Sequence, residues 1–138
     1  MAFQIIQNDA GTPAEVEEAI ALLNQYGYGI VARPTGKLVV ALEGTDLALL
    51  NFFKKYVKAD AGSYIRSPGI RVNYFDLHLL ALVADQVAAA RNNRDLRHAL
   101  VNKYFGTTTS HDLYRNLAGF AKAFDHFDVN ASYTVRLV

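Results

Sequence analysis

Apolar and polar positions along this 138-residue chain repeat at two periods. Residues 3–7 form a short strand-like run at one end. Residues 132–138 alternate Tyr133, Val135 and Leu137 with Thr134 and Arg136 at the other, the pattern of a half-buried strand. Between them lies a helix start at Thr12-Pro13-Ala14-Glu15, where Thr12 caps, Pro13 suits the first helical position and Glu15 completes a capping box. Val16, Ala19, Ile20 and Leu23 follow at helical spacing, and Gly27 and Gly29 end the run. Residues 30–32 and 38–42 are apolar and partly β-branched. They flank the turn-forming Arg33-Pro34-Thr35-Gly36 and predict a β-hairpin.

Helical spacing dominates the rest. Leu49, Leu50, Phe53 and Val57 form the apolar stripe of a helix from Thr45 or Asp46 to about Lys58. At ~100° per residue, Lys54, Lys55 and Lys58 share an arc opposite that stripe, and Phe52 and Tyr56 fall at its border. Residues 60–72 hold Gly62, Ser63, Ser67, Pro68 and Gly69 and read as a surface loop. Asn73 with Asp76 predicts the start of a helix over 73–90 that is apolar on nearly all sides, a pattern of central burial or of burial between subunits. A helix over 94–105 stops at Gly106, and another over 110–127 carries Leu113, Leu117, Phe120, Ala121 and Phe124 on one face. The predicted order β-α-β-β-α-α-α-α-β points to one α+β domain over residues 1–138, with a small, mainly antiparallel sheet of about four strands packed against a helical layer.

Composition narrows the class. The chain is 51% hydrophobic and 20% charged, as soluble globular proteins are, which excludes a mainly disordered chain. It has no cysteine, so disulfides, thiolate metal sites and cysteine nucleophiles are ruled out. Its start lacks a basic segment followed by a long apolar run, and its longest apolar stretch is too short to cross a bilayer. The expectation is an intracellular, soluble, cytoplasmic protein with no membrane partner.

The net charge of +1 conceals an asymmetry. Residues 1–50 carry two basic and six acidic side chains, residues 51–75 five and one, and residues 76–138 seven and six. The middle segment thus stands at +4 on a near-neutral chain and also holds six aromatic residues. Interleaved cations and rings are what a surface needs to grip a single strand: cations meet phosphates, and rings stack on bases.

Other chemistry fails on spacing. Ser110-His111-Asp112 lists the residue types of a catalytic triad, but consecutive helical side chains diverge by about 100°. No two of His78, His98, His111 and His126 stand three or four apart, so no helical metal pair exists. Gly36-Lys37 resembles the end of a phosphate loop, yet Val31 and Leu38 occupy the positions that need glycine and a hydroxyl.

The expected function is sequence-tolerant binding of single-stranded nucleic acid, DNA before RNA, without catalysis, metal or cofactor. Lys54, Lys55, Lys58, Arg66 and Arg71 are the expected phosphate contacts, and Tyr56, Tyr64 and Tyr74, with Phe52 behind them, the expected stacking rings. Arg33, Lys37, Arg91, Arg94 and Arg97 are candidates to extend the track. A homo-oligomer formed through the apolar helix near 73–90 would multiply one weak patch. The alternative is a protein–protein interaction module or small regulator that uses the same tyrosines and arginines as anchors.

Overall fold

A computed structural model describes residues 2–10, 39–44, 46–57, 69–107, 111–129 and 131–137. Among the described residues there are four strands: β1 (Ala2–Ala10), β2 (Val39–Glu43), β3 (Ile70–Asn73) and β4 (Ala131–Leu137). They form one antiparallel sheet in the order β2-β1-β4-β3, which sets the two chain-terminal strands side by side at its centre. The helices are α1 (Asp46–Phe52), continued by a π turn (Phe53–Val57), α2 (Tyr74–Ala89), α3 (Arg94–Phe105) and α4 (His111–Ala123), which runs on into a 3-10 turn (Phe124–His126). The expected α+β class, with an antiparallel sheet against a helical layer, is the one observed. The predicted helix over 12–26 and the hairpin strand over 30–32 lie outside the described residues. One strand, β3, occupies the end of the stretch expected to be a loop.

Alternation explains the sheet. Phe3, Ile5, Val40, Leu42, Ile70, Val72, Tyr133 and Val135 are buried on its inner face. Gln4, Arg71, Thr134 and Arg136 take the intervening positions and face away from the core. Only a glycine can begin β3: Gly69 has φ +106°, and a Cβ there would sit 2.6 Å from the Val135 carbonyl oxygen.

The β3–α2 junction is made by the predicted pair. Asn73 Oδ1 accepts from the Asp76 backbone N–H at 2.9 Å, and an Asp76 carboxylate oxygen accepts from the Asn73 N–H at 3.0 Å. Burial pushes the Asp76 carboxyl above its usual range, and the Asn73 hydrogen bond opposes that rise. Helix α2 then passes through the core. Leu77, Leu80, Ala84 and Val87 are fully enclosed by the chain's own elements. That is the physical origin of its all-round apolarity, so the pattern no longer argues for contact between subunits.

Aromatic packing closes the far side. Phe120, Phe124 and Phe127 meet one another, and Phe127 stacks on Tyr133 at 4.9 Å. The Tyr133 hydroxyl accepts from the Asp128 N–H at 2.7 Å and donates to the Asp128 carbonyl at 3.1 Å. This pair pins the turn that leads into β4.

Candidate nucleic-acid interface

The basic-aromatic segment begins where α1 changes character. Its first turns bury Ala48 and Leu49, and Phe52 and Phe53 follow, both fully enclosed. Two consecutive side chains on a regular α-helix point about 100° apart, so both can be core only if packing surrounds that whole arc. Here α3 covers the second side. Phe52 stacks on Phe105 at 5.3 Å and meets Phe53 edge-on at 5.8 Å. The backbone widens into its π turn at Phe53, immediately after this contact. Phe52, expected at the border and as a reserve stacking ring, is therefore a core residue. Its partner across the interface, Phe105, comes from the end of α3 and could not be foreseen from local periodicity.

The π turn leaves Lys54 and Lys55 exposed and Tyr56 half-buried. Lys55 Nζ donates to the Lys103 carbonyl at 3.2 Å, placing a cation at the negative end of α3. The same Nζ lies 5.2 Å from the Tyr56 ring centroid. Tyr56 packs on Phe52 at 5.0 Å and on Tyr104 at 5.7 Å. Lys103 in turn lies 5.2 Å from the Tyr104 ring, and the Tyr104 hydroxyl donates to Gln86 Oε1 at 3.3 Å. Two Lys-Tyr pairs from separate helical elements thus meet. They form one patch of two lysines and two tyrosines, with the exposed Lys54 next to Lys55 in the π turn and without an acidic residue in 51–57 or 96–105.

Lys103 and Tyr104 were missed as site residues. Their only sequence signal is a repeated dipeptide: Lys55-Tyr56-Val57 and Lys103-Tyr104-Phe105 each set an exposed cation and an amphipathic ring before an apolar anchor. Nothing in that repeat says the two would touch. The contact needs α1 and α3 to pack, which Phe52, Phe105 and the Asn51 side chain arrange. Asn51 Nδ2 donates to the Phe105 carbonyl at 3.4 Å.

The remaining expected residues scatter. Lys58, Tyr64 and Arg66 lie outside the described residues, as do Arg33 and Lys37. Tyr74 is a correction: as the first residue of α2 it points inward, is only 9% exposed, and packs its ring on Phe124 at 5.0 Å. It has no face left to offer a base. Arg71 belongs to the outer face of the sheet, across β3 from the core-facing Ile70 and Val72. There Arg71 Nη2 donates to Ser132 Oγ at 3.2 Å, Asn8 Nδ2 to Thr134 Oγ1 at 2.8 Å, and Arg136 Nη2 to Gln4 Oε1 at 3.4 Å. Arg97 sits over Tyr114, with its guanidinium 4.9 Å from the ring centroid. Among the described residues no cluster of histidine and carboxylate side chains could hold a metal ion, and no helix is long and apolar enough to cross a membrane.

No family model matches the chain, and no curated protein or solved structure shows significant similarity to it.

Proposed function

We propose that this protein binds single-stranded nucleic acid, DNA in the first place, through the patch formed by Lys54, Lys55, Tyr56, Lys103 and Tyr104. One observation carries the proposal: two Lys-Tyr pairs, distant in sequence, are brought together with their rings 5.7 Å apart. Ammonium groups at the rim suit phosphates. Both tyrosines are half-buried, packed against the core yet partly open to solvent, an arrangement that suits sequence-tolerant stacking. Lysine is a point charge without a planar fork for reading base edges, which fits tolerance of sequence. Three lysine–phosphate contacts give a log–log salt slope of roughly −2 on a single strand.

The alternative, a protein–protein contact surface, draws on the exposed Leu47 and Leu96. Single exposed leucines are ordinary on folded surfaces and do not outweigh the paired cations and rings.

The test is fluorescence anisotropy with labelled single-stranded and duplex oligonucleotides at two salt concentrations. Tighter binding of the single strand, weakened by salt, is expected. Absence of binding at low salt by the folded protein sinks the proposal. Binding that survives joint Lys54→Ala, Lys55→Ala and Lys103→Ala replacement removes this patch from it.

A further inference from the structure

A groove of about 480 Å³ runs between α2 and α4, within the size range of small-molecule sites. The two helices lie antiparallel: Tyr74 and His78 in the first turns of α2 meet Phe124 just past the end of α4. At the other end Arg97 joins the two walls. Its guanidinium covers the Tyr114 ring at 4.9 Å, and its Nη1 donates to the Arg91 carbonyl at 3.0 Å. Arg91 and Tyr114, both lining the groove, therefore share one end. Asp85 and Asp125 line the groove toward the opposite end, with Lys122 between. Asp85 lies four residues before the end of α2 at Ala89, roughly 6 Å along its axis, and Arg91 lies on the turn beyond that end. The floor is made of alanine side chains, Ala88, Ala118 and Ala121, so a flat group can approach both helices closely.

The order of these groups selects a ligand. An inorganic anion would use only the cations Arg91 and Lys122, and an amine only Asp85 and Asp125. A molecule that uses all of it has an anionic terminus, a planar ring and hydrogen-bond donors on the far edge of that ring. We propose that the groove holds one nucleotide: phosphate on Arg91, base over the alanine floor against Tyr114, and its exocyclic amine toward Asp85 and Asp125. Arg97, behind Tyr114, acts as a positioning residue that fixes the ring. A base without an exocyclic amine, such as uracil or thymine, keeps only its N3–H as a donor on that edge and loses the amine's contacts with the carboxylates.

The groove adjoins the Lys-Tyr patch. Arg97 and Tyr104 lie seven residues apart on α3, close to two turns, hence on one side of that helix and about 10 Å apart. Tyr104 bonds to Gln86, the neighbour of the groove residue Asp85. The nucleotide can therefore be free or part of a strand lying on the patch. Only the second source rests on the function proposed above.

Calorimetric titration of the intact protein with 5′-AMP, 5′-UMP and inorganic phosphate tests the site. AMP is expected to bind more tightly than UMP or phosphate. Arg91→Ala should weaken AMP about tenfold or more, the size of one charge-assisted hydrogen bond. Tyr114→Leu should weaken it comparably, and Tyr114→Phe should restore it. Thermal melts check folding, and the exposed Arg91 supplies a variant that does not disturb the core if Tyr114→Leu fails to fold. AMP that fails to bind at millimolar concentration, binds no better than phosphate, or ignores Arg91→Ala overturns the site. Joint Arg71→Ala and Arg136→Ala replacement, on the outer face of the sheet, should leave AMP binding unchanged; loss of AMP binding on joint Lys55→Ala and Lys103→Ala replacement, with Arg91→Ala silent, moves the nucleotide to the patch and overturns the groove. An oligo-dA titration separates the sources. Weakening by Arg91→Ala assigns the groove to a bound strand, and no effect assigns it to a free nucleotide.

Discussion

Two basic surfaces emerge from one short stretch of chain, and they differ in what surrounds the charge. On the π turn, Lys55 stands beside Tyr56, and the pair meets a second Lys-Tyr pair from α3. On the outer face of the sheet, Arg71 has Arg136 on the neighbouring strand, and both donate to neutral oxygens of Ser132 and Gln4. The first surface has rings to stack on and the second, among the described residues, has none. A cluster in sequence is therefore not a cluster in space. Strand alternation and helix packing separated residues that a composition window counts together.

The largest expected effect breaks the border between site and core. Phe52→Ala should cost about 3–5 kcal/mol of stability in urea unfolding, because it empties a buried aromatic contact with Phe105. A cost near that of an exposed residue would return Phe52 to the surface. Next come the rings of the patch. Tyr56→Ala and Tyr104→Ala should each weaken oligonucleotide binding by about 1–3 kcal/mol if each stacks one base, measured by anisotropy. Replacing Lys54, Lys55 and Lys103 by alanine should flatten the log–log salt slope by roughly 2.

A smaller effect concerns the β3–α2 junction. Burial raises the Asp76 carboxyl, so the folded protein holds that proton more tightly than the unfolded chain. Its contribution to stability therefore falls as pH rises from the ordinary carboxylate range through the raised value. Asp76→Asn keeps an oxygen that can accept from the Asn73 N–H and removes the titration. Relative to the parent, the variant should gain stability from acid to neutral pH in parallel urea titrations. A constant difference between the two would show that Asp76 does not titrate in this window. Joint Arg71→Ala and Arg136→Ala replacement should change stability by within about 0.5 kcal/mol per site and leave oligonucleotide binding unchanged. Loss of binding there would make the sheet face part of the interface.

Much of the fold was legible. The Asn73–Asp76 capping box, the stop at Gly106 and the alternation of the last strand are local signals, set by a few neighbouring residues and backbone hydrogen bonds. Strand β3 was not legible, because four residues between a glycine and a helix cap give periodicity little room; pairing with β4 makes them a strand. Of the candidate site, Lys54, Lys55 and Tyr56 were named from the sequence, and whether they bind anything is for the titrations to decide. Tyr74 and Phe52 were assigned to the wrong side of the surface, since an aromatic ring beside a charge looks the same in sequence whether packed or free. Lys103 and Tyr104 were invisible because their relevance depends on a contact across 48 residues.

By itself the sequence determined the class and most of the described elements: which segments are helical, where several begin and end, and that their apolar faces must be buried together. Only the tertiary structure decided which cations and rings share a surface. Periodicity reports a side chain's direction relative to its own element. A binding patch depends on how elements are placed against each other, and here the packing of Phe52 on Phe105 made that placement.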